Sequence, residues 1–372
     1  DLSAAFHQLA RYLNSPCTVV FVFDGPQKTN SKRGTTVIDR DTTVLKAYKE
    51  LIHAMRFHIL DAAGEADADL GVMSRYGLIN GVLSDDSDLF LFGGKTVIRS
   101  PSIKNDGDTV KFYRATDIRR HSAIGLNQTQ LVLFALLVGN DYDPRGLKGC
   151  GSCYALALAR SHLSTELSRI AETDEPRPSH MVLQWRAHLL DELNHNTSRL
   201  LPHALPRVAA DMPQSFPDLD VLRLLARPIT TPLWKLQAAS YGWHARMPDM
   251  GRLTELCSDY FSWDRAAIAA RFEKHILPGI CLRYLLQVRL LFLCSFAYLT
   301  QKIRMSTSVI VSRTPTLNPT ITSYARRTGA SLVPLCATSP CMTLTTHARS
   351  VWTWPPSMIG CLDPQPVPEV VR

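Results

Sequence analysis

No stretch of the 372-residue sequence is apolar for long enough to cross a membrane. The best run, Leu290–Thr300, is bounded by Arg289 and Lys302, which leaves 12 uncharged residues, whereas a bilayer requires about 20. Paired cysteines at zinc spacing are also lacking. The nine cysteines (17, 150, 153, 257, 281, 294, 336, 341 and 361) are an odd number spread over a long chain. Cys150 and Cys153 make a C-x-x-C with no second pair, inside a glycine-rich turn rather than at a helix start after a strand. The opening DLSAAFHQLARYL has neither the basic flank nor the apolar block of a secretory leader. Reduced thiols in an intracellular protein are therefore expected. The sequence begins on Asp1 rather than Met, so a fragment or an incomplete gene model is expected.

Several catalytic signatures are incomplete. Gly94-Lys95-Thr96 resembles the end of a P-loop, but Leu89 stands where the first glycine is required. Phe23-Asp24-Gly25 is followed by Pro26, so a D-x-D nucleophile pair is missing. Gly146, Gly149 and Gly151 do not fit G-x-G-x-x-G, and the histidines make no H-E-x-x-H or comparable cluster. Internal repeats are absent. Acidic residues are outnumbered, 33 Asp+Glu against 41 Lys+Arg, a net charge of +8 that favours an acidic partner. The last 72 residues carry seven Lys/Arg against Asp363 and Glu369, with 19 Ser/Thr and nine Pro. This stretch, 301–372, is expected to be a basic, poorly ordered tail, with a small module around Val351–Trp354 as the alternative.

What is present is an alternation of strands and helices over the first 160 residues. Thr18–Phe23 (TVVFVF) has the continuous β-branched and apolar character of a strand buried on both faces, and it ends at Asp24-Gly25-Pro26, a turn. Val44, Tyr48, Leu51 and Met55 recur at helical spacing. Ala66, Leu70 and Met73 predict a second helix that Gly77 ends. Ile79–Leu83 and Leu89–Phe92 read as strands, with Thr96–Arg99 as a further one, and Leu131, Phe134, Ala135 and Val138 as a helix face. The pattern predicts an α/β fold with a mostly parallel sheet flanked by helices. Residues 161–300 are helical in character but interrupted by six prolines from Pro202 to Pro232.

Ligands of open parallel sheets bind beyond the carboxyl ends of the strands, and acids gather there. Asp24 ends one predicted strand, and Asp86 and Asp88 end another, where an extended backbone points both to one side. Glu65 and Asp67 open a helix in Gly64-Glu65-Ala66-Asp67, and they converge only if Glu65 lies at or before its first turn. Asp141 follows an apolar helix. Carboxylates this close repel unless cations neutralise them, and a pair of Mg²⁺ ions suits oxygen ligands and phosphodiester hydrolysis. Each acid taken singly is equally well explained as a turn former or helix cap. Gly146-Leu147-Lys148-Gly149-Cys150-Gly151 offers backbone amides to a phosphate, or serves as a bare helix–turn–helix joint. Lys32-Arg33 is a second phosphate contact or a solvated loop.

These residues fall in four ordered motifs: FVFDGP (21–26) with KRG (32–34), GEADADL (64–70), LSDDSDLFLFG (83–93) and LLVGNDYDPRGLKGCG (136–151). Together they resemble the XPG/flap-endonuclease family of structure-selective nucleases, most of all its fungal-type Holliday-junction resolvase branch. FPDLDVLRLLARP (216–228) resembles the later helical part of that branch. The resemblance implies a PIN-like nuclease core over 1–135 with an XPG internal region at about 43–125. A helix–two-turn–helix and helical DNA-binding extension over 136–300 would follow, then the tail. It implies that Asp24, Glu65, Asp67, Asp86, Asp88 and Asp141 are the catalytic, metal-binding acids. Lys32, Arg33, Gly146, Lys148, Gly149 and Gly151 would contact DNA. The implied cofactors are two Mg²⁺ ions, with Mn²⁺ as a substitute, and a K⁺ at the helix–two-turn–helix. The implied partner is branched or flapped duplex DNA, with a homodimer on four-way junctions, in the nucleus and away from membranes. The family also has an N-terminal strand beside the one at Thr18–Phe23, and one further metal-binding Asp, upstream of Asp1. The alternative expectation is accordingly a branched-DNA binder of impaired catalysis.

Overall fold

The computed structural model describes residues 2–29, 31–32, 35–36, 43–99, 111–173, 180–287 and 341–345. Arg33, the candidate membrane run at 290–300 and the late module at 351–354 lie outside them. No helix among the described residues is long and apolar enough to cross a membrane.

The chain divides into two compact units. The larger holds a six-stranded sheet. Its strands are β1 (Thr18–Phe23), β4 (His58–Asp61), β5 (Gly81–Leu83), β6 (Thr96–Ile98), β7 (Phe112–Arg114) and β8 (Cys341–Thr345), in the order β4-β1-β8-β5-β6-β7. β2 (Ser31–Lys32) and β3 (Thr35–Thr36) form a separate antiparallel pair. Five strands of the main sheet are parallel, and β7 pairs antiparallel with β6 at the edge. All six residues of β1 are buried, as its unbroken apolar sequence requires.

The helices of this unit follow the predicted punctuation. α2 (Thr43–Ala54) presents Tyr48 edge-on to Phe21 of β1, with ring centroids 6.1 Å apart. α3 (Ala66–Arg75) is buried along most of its length and packs on the sheet; its chain turns away at Gly77, where φ is +72°. α4 (Ala115–Arg120) precedes α5 (Gln128–Val138), which opens on a reciprocal cap. Asn127 Oδ1 accepts from the Gln130 amide at 3.0 Å, while the Gln130 side chain accepts from the Asn127 amide at 2.8 Å. Then come α6 (Ser152–Ala159), α7 (Leu163–Glu172), α8 (His180–His195), α9 (Pro206–Ala210), α10 (Leu219–Ala226) and α11 (Leu233–Ser240). Their apolar faces join those of α3 and α5 around Trp185 in one core.

The smaller unit holds α1 (Leu2–Leu13), α12 (Met250–Phe261), α13 (Arg265–His275) and helical residues 277–287. Phe6 sits at its centre, with ring centroids 5.9 Å from Phe261 and 5.3 Å from Trp263, and Arg271 lies 4.2 Å over the Trp263 ring. Residues 2–17 thus belong with these late helices in one unit.

Three expectations change. Leu89–Phe92 is not a strand: Asp88–Phe90 form a 3₁₀ turn, closed by the Leu91 and Phe92 amides on the Asp88 carbonyl at 2.8 and 3.2 Å. Asp86 and Asp88 are therefore not alternate residues of an extended segment. Within the stretch expected to be an unordered tail, Cys341–Thr345 forms β8, hydrogen-bonded between β1 and β5. Its Thr343 pairs with Val20 on one side and Val82 on the other. β1 and β5 do not pair with each other in the sheet order; β8 lies parallel to both between them. The threonines of CMTLT suit that conformation.

Candidate active site

Because β1, β4 and β5 are parallel, their carboxyl ends emerge on one edge, and five of the six candidate acids follow those ends. Asp24 comes directly after β1. The turn there is set by Gly25, whose amide donates to the Gly64 carbonyl at 2.7 Å. A Cβ at Gly25 would lie 1.7 Å from the Ala62 carbonyl oxygen, so no other residue allows this approach. The contact brings Asp24 to the start of α3, where its Oδ1 accepts from the Ala66 amide at 3.0 Å.

Glu65 is the residue just before the first turn of α3, with extended backbone (φ −80°, ψ 139°). That is the position in which it and Asp67 can reach a common side. Both are buried. Glu65 accepts from the Thr29 hydroxyl through Oε1 and from the Tyr142 phenol, 3.0 Å away, through Oε2. Asp86 receives the Asp88 amide on Oδ1 at 2.8 Å, and the Asp86 amide donates to Ser84 Oγ at 3.0 Å. Asp24 and Asp86 thus do act as cap and turn former, as well as standing at the site. Beside Asp88 a pocket is walled by Phe90, Leu91, Ile118, Leu131, Phe134 and Val138, so this acid borders apolar surface.

Asp141 is buried in the loop after α5. Asn140 shapes that loop: its Oδ1 accepts from the Tyr142 and Asp143 amides at 2.9 and 3.0 Å. The phenol of Tyr142 ties the loop to α3. Burial, then the charge of Glu65 and the hydrogen bond to it, then Asp88 and Asp141, hold its proton far above the ordinary tyrosine range. One side chain therefore feels three of the six acids, from three elements. Sequence reading passed over Tyr142, although its place between Asp141 and Asp143 in GNDYD is a usable signal.

Asp69, in the same motif, has another role. It is fully buried, and its Oδ1 accepts from the Thr231 amide at 2.7 Å, while Thr231 Oγ1 accepts from the Ala63 amide at 3.0 Å. Burial pushes its carboxyl up, against the lowering effect of these hydrogen bonds. It anchors the segment before α11 to the acid-bearing helix.

The donors at this edge are all carboxylate oxygens, the chemistry that Mg²⁺ and Mn²⁺ favour. They fit such ions. They are not drawn tightly together, however: among the described residues no three of them bring one oxygen each within 4.8 Å of one another.

The glycine turn lies between α5 and α6. Gly146 and Gly149 have φ of +55° and +84°. A Cβ on Gly146 would come within 2.6 Å of the Leu137 carbonyl and the Gly139 amide, so the turn closes tightly on the end of α5. Lys148 and Gly149 are exposed, and Gly151 opens α6 without a side-chain cap and with open space around it. Cys150 is buried, its thiol pushed up to about 12 by burial, which leaves it inert. Cys153 is exposed and free, so C-x-x-C is neither a disulfide nor a thiol pair of matched exposure. Of the predicted basic contacts, Lys32 is placed in β2 by its backbone, and Arg33 is outside the described residues.

Residues 56–141 match the family described as XPG I-region, a span that takes in five of the six acids. Over that span the chain is similar to proteins of the XPG/flap-endonuclease family. It is 31% identical over 150 residues to "Flap endonuclease GEN" of Drosophila melanogaster, covering 39% of this chain and 21% of that one. It is 34% identical over 116 residues to the human "Flap endonuclease GEN homolog 1", covering 31% and 13%. The chain therefore aligns with about a fifth or less of the length of these curated XPG relatives. Among solved structures, a "eukaryotic junction-resolving enzyme GEN-1 binding with Potassium" superposes with a TM-score of 0.62 at 27% identity, covering 74% of this chain and 64% of that one. The "Holliday junction-resolving enzyme GEN1" in complex with product DNA, Mg²⁺ and Mn²⁺ gives a TM-score of 0.60 at 25% identity, covering 74% and 63%.

Proposed function

We propose that the chain is a structure-selective DNA endonuclease that hydrolyses phosphodiester bonds at branched DNA, four-way junctions or 5′ flaps, in repair and recombination in the nucleus. The observation that carries this reading is that Asp24, Glu65, Asp67, Asp86 and Asp88 follow strands that end on one edge of a parallel sheet, with the Asp141 loop tied to Glu65 through Tyr142. The likeness to GEN proteins and to GEN1 with DNA, Mg²⁺ and Mn²⁺ supports it.

The six acids would hold two Mg²⁺ ions, or Mn²⁺ in their place. When bound, such ions neutralise the scissile phosphate and make a water more acidic. The chain's own groups do the rest. Tyr142, a phenol that keeps its proton, donates to Glu65 and fixes the position of its carboxyl group. Lys32 and Arg33 contact the scissile phosphate. The exposed amides of 146–151, with Lys148, grip the duplex backbone regardless of sequence, with K⁺ bound at the turn. Two copies would act on a four-way junction.

A second reading, a branched-DNA binder without cleavage, is favoured by the spread of the acid oxygens. One assay separates the two. The chain is incubated with four-way, flapped, splayed-arm and linear DNA, in Mg²⁺ and in EDTA. Mg²⁺-dependent cutting confined to the branched substrates supports the nuclease. Binding of branched DNA with no cutting supports the second reading, and equal cutting of linear duplex contradicts structure selectivity.

A further inference from the structure

We propose that His162, Glu166 and His188 form a binding site for one Zn²⁺ ion that staples α7 to α8. His162 immediately precedes α7, and Glu166 lies one helical turn further on, so the two share a face. His188 comes from the middle of α8, which packs against α7. One ligand atom from each residue can be chosen so that all three lie within 4.8 Å of one another. His188 Nδ1 is 3.0 Å from Glu166 Oε2, His162 Nε2 is 3.8 Å from Glu166 Oε1, and the two imidazole centroids are 5.8 Å apart.

The donor set decides the metal. Two imidazole nitrogens and one carboxylate oxygen suit Zn²⁺, while Mg²⁺ takes oxygen ligands and holds its waters. The site thus differs in kind from the all-carboxylate edge of the sheet. Zinc bonds of about 2.0–2.2 Å in tetrahedral geometry set ligand atoms about 3.4 Å apart. The Glu166 separations already bracket that value, and His162, half-exposed at 52%, has the freedom to close the remaining ångström. Glu166 and His188 are 28% and 39% exposed, which leaves the fourth position to water. Binding requires neutral imidazoles, so metal uptake should weaken as the pH falls.

The consequence is mechanical. α7 and α8 are joined through residues 173–179, and the link would be reinforced by a cross-brace from outside the hydrophobic core. Nothing in the assignment depends on DNA cleavage.

The test uses the untagged full chain with Mg²⁺ in excess, so that oxygen-only sites are filled. Zn²⁺ is titrated against a chromophoric chelator. The wild-type chain should take up one tightly bound equivalent that both His162→Ala and His188→Ala lose, with affinity falling about 100-fold or more, beyond the effect of removing a supporting hydrogen bond. Zn²⁺ should also raise the melting temperature of the wild type and not of either variant. Co²⁺ in place of Zn²⁺ should give the strong visible bands of a four-coordinate site, absent in Glu166→Ala. All three side chains are at least partly exposed, so the variants should keep the wild-type circular dichroism. Uptake of Zn²⁺ that is the same in wild type and both histidine variants, or no uptake below millimolar concentration, would overturn the proposal.

Discussion

The phenol of Tyr142 donates to Glu65 Oε2 at 3.0 Å, joining the loop after α5 to the start of α3 across 77 positions of sequence. The bond satisfies a buried carboxylate from inside the protein, and a hydrogen bond to a charged group contributes about 1.5–3 kcal/mol. Tyr142→Phe should therefore lower stability by that amount in EDTA. In Mg²⁺ the loss should shrink, because a cation offers Glu65 another partner. Chemical denaturation in both buffers checks this, and an identical loss in each would show that Glu65 does not face the cation.

Gly25 makes the approach that brings Asp24 to α3. An added Cβ meets backbone, not a side chain that can swing away. Gly25→Ala should cost about 3 kcal/mol or more, at the upper end of overpacking effects. It should also impair divalent-cation binding by shifting Asp24. A melting temperature equal to wild type would contradict the geometry of this turn.

Much of this was legible in the sequence because the signals are local. TVVFVF could only be a doubly buried strand, and an acid at its end stands at the edge where parallel sheets bind ligands. Glu65 was left conditional on the start of α3, and the structure meets that condition. What escaped depends on distant partners. β4 is four residues with two only half-buried, and β7 is a short, mostly exposed edge, so neither carries a clear alternation. The strand predicted at Leu89–Phe92 failed because local turn bonds at Asp86 and Asp88 outweighed its apolar run. His162, Glu166 and His188 form no motif in the sequence, because the third member lies 22 residues beyond the second. Only the packing of α7 on α8 brings it there.

β8 gives a sharp test of the sheet. Thr343 lies between Val20 and Val82, and proline in a central strand removes a ladder hydrogen bond and strains the pairing on both sides. Thr343→Pro should lower stability by about 3 kcal/mol or more. Hydrogen exchange should rise in β1 and β5 together. Unchanged protection of both would show that the sheet does not rely on this strand.

Asp249 caps α12 and its carboxyl is held below the ordinary aspartate value, first by the Arg252 amide at 3.1 Å and also by Arg56. A folded-state pKa below the unfolded one means stabilisation present above about pH 4 and lost as the pH falls through the folded value. Asp249→Ala should melt earlier than wild type at pH 7, with the two curves converging towards pH 2. Curves that stay parallel across that range would contradict the assignment.

The central claim is that the acids at the sheet edge serve cutting rather than gripping. Asp86→Asn tests it most directly, since the amide oxygen can still accept from the Asp88 backbone and preserve the turn. Cleavage of a four-way junction and affinity for the same junction are measured side by side. The account predicts that cleavage disappears while affinity stays within about a few-fold, because phosphate contacts supply most of the binding. Loss of binding in step with cleavage, or cleavage that survives the substitution, would contradict it.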